Sequence, residues 1–291
     1  MRKIMNYINM AQELGFPSDT VHRIEEIESY TVPDELANRY FYGRMPIKDA
    51  LDILKLDKRD DIHLYEKYML FLLACAEYMK DDYKKFGISD EIYHETALDI
   101  KYKFDECKTV FGVSGVSDPM WFDGFFRLTR FGIGRLQYEK IPFEFEDFTK
   151  GGHTIEHGAT VYNCHIPSSG ALRQDDVLSS FKAAYEFFEN ELCDGVMPII
   201  CYSWLLFPEL EQILGDKSNI VKFSKLFSPI KAIYRKGFSN AWRVFGKPYE
   251  GSGADMPKDT SMQRAFLKHL DSGNCLGIGI GMLLFDGEKI L

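Results

Sequence analysis

The first hundred residues carry the hydrophobic spacing of amphipathic helices. In the segment 62–87 the apolar side chains recur every three or four residues, which places them on one helical face. They are Leu64, Tyr68, Phe71, Leu72, Cys75 and Met79. Gly87 is a typical helix end, and Ser89 begins a further predicted helix over 88–104. Similar spacing predicts earlier helices over 5–15, 18–30 and 46–57.

The spacing changes after Phe111, where a turn-rich segment leads into a short aromatic helix near Pro119. Beyond it, alternating and β-branched stretches predict strands at 132–145, 154–166, 195–207, 230–240 and 275–285. Helical segments separate the later strands: one ending at 192, then 208–227 and 259–274. This order predicts an α+β protein, with a helical N-terminal domain (1–115) followed by a domain (116–291) whose mixed β-sheet is flanked by helices.

Composition and charge exclude several classes of protein. The 291 residues are 45% hydrophobic, which is ample for packed cores and fits two domains. A formal net charge of −9 argues against nucleic acid or an anionic membrane as the main partner. No apolar segment is long enough to span a bilayer and no signal peptide is evident, so we expect a cytoplasmic protein. The six cysteines form no CxxC pair, which predicts unpaired thiols and no metal site.

The segment 161–188 holds the strongest local signal of chemistry. It predicts a strand, a Pro-Ser-Ser-Gly turn and an amphipathic helix with an acidic first turn. Such a junction directs several backbone N–H groups and the positive end of a helix dipole toward one spot, which suits a phosphate or pyrophosphate. His165 lies at the mouth of the turn. The simpler alternative is that any strand-turn-helix junction needs a glycine and polar caps.

The second half of the chain resembles the GNAT (Gcn5-related N-acetyltransferase) superfamily. More narrowly, it resembles a bacterial branch of N-acyltransferases with a helical N-terminal domain and a GNAT-like C-terminal domain. The matching segments are GRLQYEK (134–140), HIPSSGAL (165–172), CYSWLLFPEL (201–210), SNIVKF (218–223) and TSMQRAFLKHLDSG (260–273). The resemblance implies acetyl-CoA or another acyl-CoA as the donor, held in a gap between two splayed strands. It also implies direct transfer to an amine of a small molecule or peptide.

The resemblance assigns the pyrophosphate cradle to one turn. Its cofactor-binding residues would be Pro167, Ser168, Ser169, Gly170, Ala171 and Leu172, with Arg173 supplying charge. This turn departs from the superfamily pattern, since it has a single glycine and no preceding Arg or Gln. Asp175 and Asp176 suit a helix N-terminus but would repel a nearby phosphate.

Acyl transfer to an amine needs a base and a hydrogen-bond donor for the developing oxyanion. His165 is the first candidate base because its ordinary pKa suits neutral pH, although a packed histidine at a strand end is the alternative. Glu139 is the second, although a surface ion pair with Arg135 or Lys140 is the simpler explanation. Ser203 is a candidate donor to the carbonyl or the leaving thiolate. A nucleophilic Cys201 is a distant alternative.

Two further sets of residues are candidates for substrate binding. Tyr202 and Trp204 are predicted on one face of a strand as walls of the acyl or acceptor pocket, with core packing the alternative for Trp204. Gly277, Gly279 and Gly281 share one strand face, which indicates that something approaches the backbone closely. We expect either the acceptor or pantetheine cleft, or tight docking of a helix or of the N-terminal half.

Two functions therefore remain in view. The first is an acyl-CoA-dependent N-acyltransferase, and the alternative is a catalytically inactive GNAT-like ligand-binding or interaction protein. The sequence leaves the acceptor, the acyl chain and the oligomeric state open, and a homodimer is compatible with it.

Overall fold

The structure is a computed structural model that describes residues 7–235 and 237–291. Two compact units divide the chain, Met1–Gly132 and Ile133–Leu291. Residues 5 and 6 of the predicted helix 5–15, and residue 236 of the predicted strand 230–240, lie outside the described residues.

The first unit is built from helices over its described residues. Long helices with small connecting turns dominate it, as the three- and four-residue spacing predicts. They are α1 (Tyr7–Glu13), α2 (Ser18–Glu26), α3 (Val32–Tyr42), α4 (Ile47–Leu56), α5 (Leu64–Lys85) and α6 (Asp90–Phe111), followed by a 3₁₀ turn (Pro119–Phe122) and α7 (Asp123–Phe126).

Helix α5 is capped at its first turn and buried over most of its length. The His63 side chain accepts a hydrogen bond from the Tyr65 amide at 3.1 Å, and the Glu66 carboxylate accepts one from the His63 amide at 2.8 Å. This reciprocal capping satisfies two amides that a helix start otherwise leaves unpaired. Buried aromatic and aliphatic side chains such as Phe71 then supply the hydrophobic stabilisation.

The second unit is a mixed sheet with helices and one hairpin attached. Its strands are β1 (Arg130–Ile133), which crosses the division between the units, β2 (Leu136–Pro142), β3 (Phe148–Lys150), β4 (His153–Ile155), β5 (Thr160–His165), β6 (Met197–Ser203), β7 (Ser228–Arg235) and β8 (Leu276–Phe285). Its helices are α8 (Gln174–Phe188), α9 (Leu210–Leu214), α10 (Asn219–Ser224), α11 (Ala241–Phe245) and α12 (Ser261–Asp271), with 3₁₀ turns at Glu189–Glu191 and Trp204–Leu206.

Among the described residues, six strands form one sheet in the order β1-β2-β5-β6-β8-β7, and β3 and β4 form a separate hairpin. The pairing of β5 with β6 is parallel, while β2–β5, β6–β8 and β7–β8 are antiparallel. The predicted α+β class with a helical N-terminal region and a mixed sheet is confirmed.

The two faces of this sheet are covered differently. Helix α8 packs on the face that carries Tyr138, whose hydroxyl lies 2.9 Å from the Ser180 hydroxyl. The Ser180 hydroxyl in turn donates to the carbonyl of Ile133. On the opposite face a second apolar cluster joins Val161 and Ile200 to the hairpin residues Phe148 and Ile155. The sheet therefore has helix α8 on one face and the hairpin cluster on the other.

Candidate functional site

The predicted phosphate turn lies between the end of β5 and the start of α8. It is held by the guanidinium group of Arg135, in the loop before β2, which donates to three backbone carbonyls. These are the carbonyls of Pro167 at 3.1 Å, Gly170 at 2.6 Å and Ala171 at 3.2 Å. Gly170 has a φ of 104°, a left-handed conformation that favours glycine at this position.

The same hydrogen bonds orient the amides of the turn. The described peptide bonds are trans, so the C=O and N–H of each peptide unit point in opposite directions. Because the carbonyls of Gly170 and Ala171 face Arg135, the N–H groups of Ala171 and Leu172 face away from it. Neither amide donates a hydrogen bond to any residue in 7–235 or 237–291. The turn therefore presents donors that an anionic ligand can engage.

The charges around the turn come from three separate parts of the chain. Arg173, expected to supply positive charge, is paired with Asp176 at 2.7 Å. Arg243, on α11, approaches the turn from a distant segment and donates to the Ser168 hydroxyl at 3.3 Å. Sequence analysis missed the contributions of Arg135 and Arg243, and no local signal marks Arg243 because 75 residues separate it from Ser168.

The structure brings the two predicted bases together. In the antiparallel register of β2 and β5, Glu139 is opposite Asn163 and Gln137 is opposite His165. The Glu139 carboxylate oxygen Oε2 lies 3.0 Å from Nε2 of His165, with both side chains about one-fifth exposed. Because a carboxylate only accepts, this contact requires the proton of the imidazole on Nε2. The neighbouring Lys140 pairs instead with Glu191 at 2.7 Å.

Asn163 is a third polar member of this site, and sequence analysis did not single it out. Its side-chain amide nitrogen lies 3.3 Å from Nε2 of His165, and with the imidazole proton on Nε2 this is a contact between two donors and not a hydrogen bond. Its carbonyl oxygen Oδ1 is buried and has no hydrogen-bond partner among the described residues. A buried unsatisfied acceptor is costly, so this oxygen is ready to accept an N–H or O–H donor. The strand alternation that placed His165 on one face could have indicated Asn163, two residues earlier.

The pairing of β5 with β6 ends before the two strands do. The parallel pairing of β5 and β6 consists of Tyr162 with Ile199 and Asn163 with Ile200. Both strands continue beyond these pairs, to His165 and Ser203. The two strands are therefore no longer paired at their carboxyl ends, which is where the phosphate turn begins.

The cysteine alternative does not fit this geometry. The β5–β6 register puts Cys164 beside Cys201 on the α8 face, whereas His165 lies on the opposite face. Cys201 is fully buried. Burial, and then the neighbouring Cys164, raise the pKa of the Cys201 thiol well above its usual value. A thiol in this state is a poor nucleophile.

Ser203 and Trp204 lie where the strand changes direction. The predicted C-terminal end of the strand 195–207 is wrong, because β6 ends at Ser203 and a 3₁₀ turn follows. The Ser203 hydroxyl oxygen accepts from the Leu205 amide at 3.1 Å and so starts this turn. The Trp204 ring packs against Phe238 and Phe266, with ring centroids 5.5 and 5.8 Å apart. These contacts favour core packing, the alternative to a pocket wall, for Trp204.

Tyr202 lies on the strand face that also carries His165. Its ring is 6.2 Å from that of Phe145, between centroids, and it contacts the apolar cluster of the hairpin side. Burial, followed by the charge of Glu144, raises the pKa of the Tyr202 phenol. Tyr202 therefore stays neutral and remains a candidate wall of the acceptor side.

The three glycines of β8 are approached closely by the protein's own chain. A Cβ added to Gly279 would lie 1.9 Å from the carbonyl oxygen of Leu206, and one added to Gly277 would lie 1.9 Å from that of Ile233. At Gly281 it would meet the Phe227 side chain at 2.8 Å. A cavity of about 180 Å³ lies beside Gly281 and Phe227. Docking of the turn after β6 therefore accounts for Gly279, and the close approach of Phe227 accounts for Gly281, which also lines this cavity.

Among the described residues, no group of three or more His, Cys, Asp or Glu side chains could hold a metal ion. None of the helices in 7–235 and 237–291 combines the length and apolarity that crossing a membrane requires.

Comparison with known families assigns the class of this protein. Residues 130–283 match the model of the GNAT-like C-terminal domain, and residues 5–128 match the model of the N-acyltransferase N-terminal domain. The chain therefore belongs to the family of N-acyltransferases that combine this N-terminal domain with a GNAT-like C-terminal domain. No curated protein sequence matches it.

Solved structures give the same fold. A crystal structure of an acyltransferase in complex with decanoyl-CoA and teicoplanin superposes with a TM-score of 0.63, at 19% identity, over 96% of this chain and 99% of that chain. A structure of an acyltransferase in complex with CoA and 10C-teicoplanin and one of an acyltransferase mutant with octanoyl-CoA match with the same TM-score, identity and coverage. The structural neighbours are thus acyltransferases bound to CoA or acyl-CoA, and the similarity at this identity concerns the fold.

Proposed function

We propose that the protein is an acyl-CoA-dependent N-acyltransferase that transfers an acyl group directly to an amine of a small molecule or peptide. The observation that carries this proposal is the contact between Glu139 and His165 at the unpaired ends of β5 and β6. Family membership and neighbours bound to decanoyl-CoA support the donor class. The neighbour bound to teicoplanin supports a small peptide-like acceptor.

The turn after β5 would hold the diphosphate of the acyl donor. Arg135 fixes the carbonyls of the turn, which leaves the amides of Ala171 and Leu172 directed away from the guanidinium as donors. The strand ends beyond the last β5–β6 pair would then border the pantetheine arm and the thioester. In this proposal the turn binds the diphosphate through its backbone, including the backbone of Ser169 and Gly170, as the sequence predicted.

His165 would act as the base. With Nε2 protonated and held by the Glu139 carboxylate, the lone pair of the imidazole is on Nδ1, and this atom accepts the proton of the amine. The amine nitrogen bonds to the thioester carbonyl carbon, the carbon–sulfur bond breaks, and the thiolate leaves. The Ser203 oxygen accepts from Leu205, so its own O–H remains to donate to the carbonyl oxygen or the leaving sulfur.

Binding of the donor is the first test. Isothermal titration of acetyl-CoA, octanoyl-CoA and decanoyl-CoA into the full chain should give a Kd in the micromolar range for at least one of them. The absence of both heat and a thermal shift at millimolar concentration of all three would remove the proposal.

Transfer is the second test. An acceptor panel of amino sugars, polyamines and short peptides, analysed by mass spectrometry, should reveal an acylated product that depends on His165. Acyl-CoA binding combined with a product yield that His165→Gln leaves unchanged would exclude this base. Binding with no product from any amine would favour the inactive ligand-binding alternative.

A further inference from the structure

The phosphate turn has a nearby cation that comes from outside the strand-turn-helix segment. Arg243 lies on the short helix α11, and its Nη1 is 3.3 Å from the Ser168 hydroxyl. The guanidinium group also lies over the Trp242 ring, 4.2 Å from its centroid. This stacking limits the positions that an otherwise flexible, exposed side chain can adopt.

The other two arginines at the turn contact groups of the turn itself and of α8. Arg135 directs Nε, Nη1 and Nη2 at the carbonyls of the turn, so its fork serves to shape the backbone. Arg173 is paired with Asp176, and Asp175 adds a further negative charge in the first turn of α8. Because Arg173 and Asp176 neutralise each other, Asp175 leaves this turn with a net negative charge, which a further positive charge would offset for an anionic ligand at the amides.

We propose that Arg243 supplies this charge by binding a phosphate group of CoA at the turn, with the Ser168 hydroxyl as a second donor. This inference rests on the proposed function, since it assigns the binding partner of the CoA phosphates to a specific side chain. A guanidinium at this position can form a bidentate, charge-assisted pair with phosphate. Arg243 thereby replaces the charge that Arg173 loses to Asp176.

The test compares ligands that differ in their phosphate groups. CoA, dephospho-CoA and pantetheine are titrated by calorimetry into wild type, Arg243→Met and Arg243→Lys. In Arg243→Met the Kd for CoA should rise about tenfold or more, as expected for one charge-assisted hydrogen bond. The Kd for pantetheine, which has no phosphate, should not change. Arg243→Lys should recover part of the affinity because it keeps the charge but loses the fork.

Dephospho-CoA identifies which phosphate is bound. An equal loss of affinity for CoA and dephospho-CoA places Arg243 on the diphosphate, and a loss confined to CoA places it on the 3′-phosphate. Either result supports the inference. The affinity of wild type should also fall more steeply with salt than that of Arg243→Met.

Arg235→Met is the matched control, since it removes the same charge from an exposed arginine at the end of β7, three strands away from β5. It should bind CoA as wild type does. Unchanged CoA affinity in Arg243→Met, or an equal loss for pantetheine, would overturn the inference while leaving the proposed function in place. A wild-type protein that binds neither CoA nor pantetheine would overturn both.

Discussion

Glu139 and His165 are diagonal neighbours on the β2–β5 pair, with Oε2 and Nε2 3.0 Å apart. The contact lies on the sheet face opposite helix α8. A carboxylate in this position fixes the tautomer and the orientation of the imidazole, and it stabilises the imidazolium that forms when the ring accepts a proton. In the proposed mechanism Glu139 is thereby a positioning residue for His165 rather than a competing base.

Replacing Glu139 by Gln should therefore lower turnover without weakening donor binding. A neutral amide can present either a donor or an acceptor to Nε2, so the tautomer is no longer fixed. We expect kcat to fall by about 10- to 100-fold. The Kd for acyl-CoA should change less than twofold. Steady-state kinetics and calorimetry on the same preparation check this result.

Glu139→Asp is the control for this prediction, because it keeps the carboxylate on a shorter side chain. It should retain more turnover than Glu139→Gln. If the two variants have equal kcat and both match wild type, Glu139 has no role in transfer.

Much of the fold could be predicted from the sequence because it depends on local spacing. The period of 62–87 corresponds to α5, and the β-branched stretches correspond to the strands of the sheet. Helix α3 was missed, although Pro33 in its first turn is a favourable start. The predicted end of β6 was wrong because the Ser203 side chain caps a 3₁₀ turn, which depends on one hydrogen bond rather than on a pattern.

The candidate site could be predicted less completely, and the reason is long-range contact. His165 and Glu139 were each identified as polar residues on predicted strands, but their contact depends on the β2–β5 register. The roles of Arg135 and Arg243 depend on contacts over about 35 and 75 residues of chain. No periodicity carries that information.

The cysteines should differ strongly in their reaction with a thiol reagent. Cys193 is exposed and Cys275 half-buried, whereas Cys75, Cys107, Cys164 and Cys201 are buried. Burial raises the pKa of the thiols of Cys75 and Cys201, which also slows their reaction. In native protein, Cys193 should react first with a chromogenic disulfide, and the four buried thiols should react only in denaturant.

Peptide mapping after limited labelling identifies the modified residue. Cys193→Ser should remove the fast phase and leave acyl transfer unchanged. A fast phase that persists in this variant and maps to Cys201 would restore the nucleophilic cysteine alternative.

The stability of the second unit should fall in alkaline solution. Burial, followed by the charge of Glu191, raises the pKa of Tyr162 to about 12 from its usual value near 10. A folded-state pKa above the unfolded one stabilises the native state below pH 10, and this contribution is lost as the pH rises toward 12. The melting temperature should therefore decrease over this interval, in step with phenolate absorbance at 295 nm.

Tyr162→Phe is the control for the alkaline transition. It removes the ionisable hydroxyl and keeps the ring that packs 4.6 Å from Phe188. Its melting temperature should fall less between pH 10 and pH 12 than that of wild type. An identical pH dependence in the two proteins would assign the transition to other groups.

Gly279 tests whether the glycine face of β8 serves packing or ligand binding. A Cβ at this position would lie 1.9 Å from the carbonyl oxygen of Leu206, so Gly279→Ala forces the turn after β6 to move. Overpacking of this kind costs about 2–3 kcal/mol, which corresponds to a fall in melting temperature of roughly 5–10 °C. Gly281→Ala should cost less, because its Cβ would lie 2.8 Å from the Cβ of Phe227, a milder overlap than the 1.9 Å at Gly279. Calorimetric unfolding of both variants measures the difference. If Gly279→Ala instead melts as wild type does and loses acyl-CoA affinity, this face of β8 lines the ligand cleft and the packing explanation fails.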